Sequence, residues 1–143
     1  MYCYESVIFY RKIKISLMMS SLTKDKVNTM IISMRPAVTQ ARVHVIHSLS
    51  RQIKNLRNKK CSSDKQKEQN ERKVKRYVEE IELLKKSSRD SISRYVLITK
   101  KTFSDVVKKE SKTQKYNMKV RSYVRVSEHA AVKKILDPFR FWF

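Results

Sequence analysis

From Pro36 onward the apolar positions of this chain fall into helical register. Val38, Ala41, Val45, Leu49, Ile53 and Leu56 recur at spacings of three and four, with Ile46 widening the stripe. Proline is well placed in a first helical turn, so the pattern predicts a helix from Pro36 to about Lys60. The remaining faces carry Arg42, Arg51, Lys54, Arg57, Lys59 and Lys60. Cations gather in the last turn, where the helix dipole favours them. Cys61-Ser62-Ser63-Asp64 reads as a turn, with Ser63 or Asp64 as N-cap of a second helix over about Lys65 to Lys86. There Val74, Tyr77, Ile81 and Leu84 form a heptad-like seam with Val78 beside it, while the first two turns are polar throughout. Glu71–Lys75 and Glu82–Lys86 stand at i,i+4 in the favourable order. Two amphipathic helices and a short turn predict an antiparallel helical hairpin.

The pattern weakens on either side. A third helix is expected from Ser91 with Ile92, Tyr95, Val96 and Thr99 on one side, although Tyr95 to Thr99 is β-prone taken alone. Phe103, Val106 and Val107 make a brief apolar cluster, and Lys108 to Lys115 reads as a basic linker. Asn117 to Val126 and Glu128 to Leu136 predict two short helices ended by Asp137-Pro138, ahead of an exposed aromatic tail, Phe139 to Phe143. Residues 1–34 show no clear helical period, and the alternation of Ile13, Ile15 and Leu17 fits a short strand or no element at all. Charges interrupt the apolar runs here, so no stretch approaches the ~18 uncharged residues of a membrane span, nor has a signal peptide's order. The expectation is a soluble, intracellular, all-α protein: a basic helical hairpin followed by shorter helices that finish ordering on a partner.

Composition narrows the function. The 143 residues hold no glycine, where roughly ten would be usual. Phosphate-cradling loops, dinucleotide folds and nucleophile elbows all depend on glycine, so an enzyme of those kinds is not expected. Lys and Arg number 34 against 13 Asp and Glu, a net charge of +21. Residues 35–86 hold 15 basic and 6 acidic side chains, and residues 87–143 hold 14 and 5. Charge spread so evenly calls for a polyanion, bound by counterion release. Zinc-finger spacing, homeodomain pattern and ribonucleoprotein aromatic motif are all missing, so no base-specific readout is expected.

The other chemistry-bearing residues read as structural. His44 and His47 lie three apart but lack further ligands for a metal, and His129 stands alone. Glu79, Glu80 and Glu82 fan around a helix among lysines, which predicts a solvated face rather than an acid–base pair. Cys3 and Cys61 read as two reduced thiols. No catalytic constellation, cofactor or metal site is expected. A membrane-surface helix is disfavoured, because the stripes lack the Trp and Phe of an interfacial one.

A set of segments in fixed order is more specific. Met34-Arg35, then Val43-x-Val45-Ile46-x-x-Leu49, then Leu56-Arg57-x-Lys59-Lys60, resemble the start of the serum response factor-binding protein family, which includes a yeast bud-site-selection homologue. Asn70-Glu71-Arg72-Lys73-Val74-Lys75-Arg76 running into Glu79-Glu80-Ile81 resembles the basic stretch and acidic helix core that follow. Phe103-x-x-Val106-Val107-Lys108-Lys109 resembles a Phe-x-x-Ile-Phe-Lys-Lys segment of the family, and Val120 to Leu136, with Arg121, Arg125, His129 and Val132-Lys133-Lys134-Ile135, resembles its following Arg-x-x-x-His and Lys-rich helix. The likeness covers about residues 34–136. It leaves 1–33 as an unmatched extension and 137–143 as a tail where the family runs on into a charged, low-complexity region, so a shortened chain is expected.

The resemblance implies a nuclear and nucleolar protein of ribosome biogenesis. It would associate with pre-ribosomal RNA and assembly proteins during small-subunit rRNA maturation, without catalysis. The alternative it implies is a transcriptional cofactor binding serum response factor. For phosphate contact the sequence nominates Arg51, Lys54, Arg57, Lys59 and Lys60, with Arg72, Lys73, Lys75 and Arg76 facing them across the hairpin. For protein contact it nominates Leu49, Ile53 and Leu56 with Val74, Tyr77, Ile81 and Leu84.

Overall fold

The computed structural model describes residues 24–60, 63–113 and 117–140. Cys3, the apolar runs before residue 23, Cys61 and the end of the aromatic tail lie outside the described residues. Six helices follow one another: α1 (Lys24–Asn58), α2 (Asp64–Lys86), α3 (Arg89–Ile98), α4 (Phe103–Thr113), α5 (Met118–Ser127) and α6 (Ala130–Arg140). No strand occurs among the described residues, and the fold is all-α. The chain divides into two compact units, Met1–Ser33 and Met34–Phe143. In the first, the described residues form the opening turns of α1, where Thr29 Oγ1 donates to the Asp25 carbonyl at 2.9 Å.

Helix α1 begins twelve residues before the proline expected to start it. Val27, Met30, Ile31 and Met34 already step by three, one and three, a helical stripe that the proline conceals. Pro36 removes one intrahelical hydrogen bond. The carbonyl it leaves belongs to Ile32, a residue that is 54 % exposed.

In the second unit α5 is the hub: α2, α3, α4 and α6 each make close backbone contact with it. Arg121, Ser122, Tyr123, Val124, Val126 and Ser127 are all buried. Two of these are serines, small enough for neighbouring backbones to approach. Their hydroxyls are satisfied within the helix, Ser122 on Met118 O and Ser127 on Val124 O, both at 2.8 Å. Asn117 caps the helix start, its side chain accepting from Val120 N. Around this hub gathers one core of Met34, Ala37, Val38 and Ala41 from α1, Leu84 from α2, Ile92 and Val96 from α3, Tyr123 and Val126 from α5, and Val132 and Leu136 from α6. The β-prone Tyr95–Ile98 segment is helical because burying Ile92 and Val96 on one face outweighs propensity.

The corner between α2 and α3 is held by polar contacts. Arg35 forks onto Asp90 with two bonds of 2.8 Å. Arg42 donates to the Ser87 carbonyl at 3.1 Å. Tyr123 donates to Ser87 Oγ at 3.0 Å, and that hydroxyl donates onward to Leu83 O.

Two further expectations are corrected. Lys108 to Lys115 is not a linker throughout, because α4 runs to Thr113. Its start is fixed by a reciprocal cap, Thr102 Oγ1 receiving from Asp105 N while the Asp105 carboxylate receives from Thr102 N. Its second half is drawn inward by Glu110, a buried carboxylate bonded to α5. Asp137-Pro138 likewise does not end α6, which continues to Arg140. A proline near a helix end gives up a single hydrogen bond.

Candidate nucleic-acid interface

Beyond Leu49 the character of α1 changes. Arg51, Lys54 and Arg57 are exposed at i, i+3 and i+6, and Lys59 and Lys60 continue past the helix end, also exposed. On α2, Arg72, Lys73 and Lys75 are exposed and Arg76 is half-buried. Residues 51–76 hold 11 Lys and Arg against 3 Asp and Glu. The i,i+4 ion pair on this stretch is Glu68–Arg72, at 2.6 Å, rather than Glu71–Lys75. Ser63 caps α2 with its backbone carbonyl, which receives from Gln66 N and Lys67 N, while its side chain makes no capping bond.

The nominated cations fall into groups. Arg57, Lys59 and Lys75 line one cleft of about 790 Å³ between α1 and α2. Arg51, Lys54 and Arg57 line a second of about 540 Å³, which adjoins the first at Arg57 and Val78. Lys60, Arg72, Lys73 and Arg76 line neither. The nominated cations at the α1–α2 end, here called the arm, are thus divided between the two clefts and the surface outside them.

The seven apolar nominees divide as well. Leu49, Ile53 and Leu84 are buried within the chain, Leu84 completely. Leu84 belongs to the internal core, while Ile53 still lines the smaller cleft. Leu56, Val74, Tyr77 and Ile81 are half-buried, and the Tyr77 ring lies 5.7 Å beneath the Arg125 guanidinium.

The sequence reading missed the most ordered charged cluster. Glu80 is not solvated: it is fully buried and receives Arg121 Nε and Arg125 Nε on its two oxygens, each at 2.8 Å. Arg121 also donates to Glu110 Oε2. Phe103 lies under both guanidiniums, 5.1 Å from that of Arg121 and 4.1 Å from that of Arg125. Two acids and two bases balance, and they bind α2, α4 and α5 together. The start of α4 is tied to the same place, since Phe103 N donates to Glu128 Oε1 at 2.7 Å. A signal was present: Glu80 stands three residues after Tyr77 and four before Leu84, on the apolar face, where a carboxylate needs a buried partner.

Two more accessible carboxylates are also engaged within the chain. The carboxyl of Asp90 is held below the ordinary aspartate value, first by its hydrogen bond to Arg35. Asp105 is lowered by the hydroxyl and amide of Thr102. His129 is not alone: its ring stands 5.0 Å from that of His44, and its Nδ1 accepts from Ala131 N. No group of three or more His, Cys, Asp or Glu suited to a metal occurs among the described residues. Nor is any described helix long and apolar enough to cross a membrane. No protein-family model matches the chain, and no curated protein or solved structure matches it either.

What this arrangement offers chemically is an excess of donors, with Glu71 and Glu79 among the exposed acceptors beside them. Glu68, Glu80, Asp90, Asp105, Glu110 and Glu128 are engaged within the chain. Exposed lysines and arginines dominate the end of the arm.

Proposed function

We propose that the chain is a non-catalytic RNA-associated assembly factor of ribosome biogenesis, acting in the nucleolus on pre-ribosomal RNA with other assembly proteins. One observation carries this reading: the excess cations between Arg51 and Arg76 project from an arm whose own core residues are neutral or internally paired. Such charge is unfavourable on its own and is relieved by phosphates. The ordered segments of residues 34–136 that resemble the serum response factor-binding protein family supply the ribosomal context. The cofactor alternative has less support, because Leu49 and Ile53 of its contact surface are buried in the chain.

The test is binding of the full chain to a single-stranded RNA across a salt series, with duplex DNA of equal length as competitor. Five or more phosphate contacts give a slope of log affinity against log salt of about −3.5 or steeper. RNA should be preferred over the duplex. A shallow slope, or equal competition by DNA, would overturn the assignment.

A further inference from the structure

The larger cleft of the arm is not a purely electrostatic surface. Its floor is apolar, made of Leu56 from α1 and Val74 and Val78 from α2, all half-buried. Its rim carries Arg57, Lys59, Lys67 and Lys75 against Glu71 and Glu79. We propose that this cleft docks an acidic amphipathic helix of a partner protein.

Three features select that occupant. Apolar floors suit apolar side chains, and about 790 Å³ is room for one face of a helix. The α2 wall from Lys67 to Glu79 spans about 18 Å, a little over three helical turns. The cationic rim calls for carboxylates on the flanks of that helix. RNA fits this place poorly, because no aromatic ring lines it for a base to stack on. A second copy of the chain carries +21 and the wrong sign. Leucines at i, i+3/i+4 and i+7 of the incoming helix reach Leu56, Val74 and Val78, while its glutamates meet Lys67 and Lys75. The inference rests on the assembly-factor reading for what kind of protein brings the helix. Phosphate contacts are not confined to this cleft: Lys60, Arg72 and Lys73 lie outside its lining.

The probe is a synthetic peptide of about four turns, with leucines on one face and glutamates beside them, titrated onto the full chain by fluorescence anisotropy. Its control has the same composition, scrambled so that the leucines share no face. Binding should be about tenfold weaker for the scrambled peptide, and about tenfold weaker to Val74→Asp. Lys67→Glu with Lys75→Glu should weaken it similarly. Both positions are exposed, so that pair decides the matter if Val74→Asp loses its helical circular dichroism. Equal binding of the two peptides, or unchanged affinity in the folded variants, would overturn the proposal. RNA titration of the same samples separates the two claims. Val74→Asp should bind RNA as the unaltered chain does, and failure of RNA binding alone would sink only the RNA reading.

Discussion

The helices α1 and α2 each have two ends, and the ends obey different rules. Toward the α2–α3 corner, Met34, Val38 and Leu84 are at most 1 % exposed, and the buried charges near it are paired. Arg121 and Arg125 are matched by Glu80 and Glu110, and Arg35 by Asp90. Toward the α1–α2 turn, Leu56 and Val74 are only half-covered, and cations outnumber acids nearly four to one over residues 51–76. Residues of one type thus do opposite work. Arg121 at the first end is structural and desolvated, whereas Arg51 and Arg57 at the second are exposed to solvent. Total charge cannot tell these apart; burial can.

Arg121→Ala should break the closed end most severely. It strands Glu80 and Glu110 in the core, and removing one partner of a buried ion pair costs about 3–5 kcal/mol. That is a large fraction of the 5–15 kcal/mol typical of a domain. Urea unfolding followed by circular dichroism reads it directly. A loss under about 1 kcal/mol would mean the network is hydrated and that the two ends differ less than their geometry indicates.

How far the sequence already showed this depends on the residue. The α1 stripe was legible because Val38, Ala41, Leu49 and Ile53 bury one face of a long helix, and periodicity reports one-sided burial. The α5 hub was legible as a helix but not as a hub. Its buried face includes Arg121 and Ser127, which hydropathy counts as exposed. Glu80 and Glu110 were misplaced for the same reason: their partners are 41 and 11 residues away, beyond any local pattern. Of the candidate interface, the exposure of Arg51, Lys54 and Arg57 followed from their spacing. The cleft did not, because it depends on how far apart α1 and α2 run.

A milder probe of the closed end is Tyr123→Phe. It keeps the ring, and with it the edge contact to Tyr95 at 5.3 Å, but removes the donor to Ser87. Loss of about 1 kcal/mol is expected, the net value of one hydrogen bond, with the helical circular dichroism of the native state unchanged.

Acid should loosen the same corner in a defined direction. Because the folded-state value of Asp90 lies below the unfolded one, its contribution is complete above the ordinary aspartate value of about 3.9. It is lost as pH falls through the lower folded value. In Asp90→Asn the part of the acid limb below about pH 4 due to this pair should flatten, in urea midpoints measured across pH. An unchanged limb would mean the Arg35 fork is too exposed to couple to folding.

The smallest effect on stability belongs to the open end, where the largest effect on binding is expected. Charge reversal at Arg57, Lys59 and Lys60 touches only exposed side chains, and surface substitutions of this kind usually stay within about 0.5 kcal/mol each. Relief of self-repulsion at +21 acts in the stabilising direction. Three lost phosphate contacts should nonetheless flatten the salt slope for single-stranded RNA by about two. The contrast with Arg121→Ala is then sharp: one variant unfolds easily without a binding defect of its own, and the other folds normally and fails to bind. A triple reversal that leaves the slope intact would move the RNA contact to the outer cations of α2, Arg72 and Lys73. One that unfolds the chain would erase the distinction between the ends, since it would make the open arm a structural element after all.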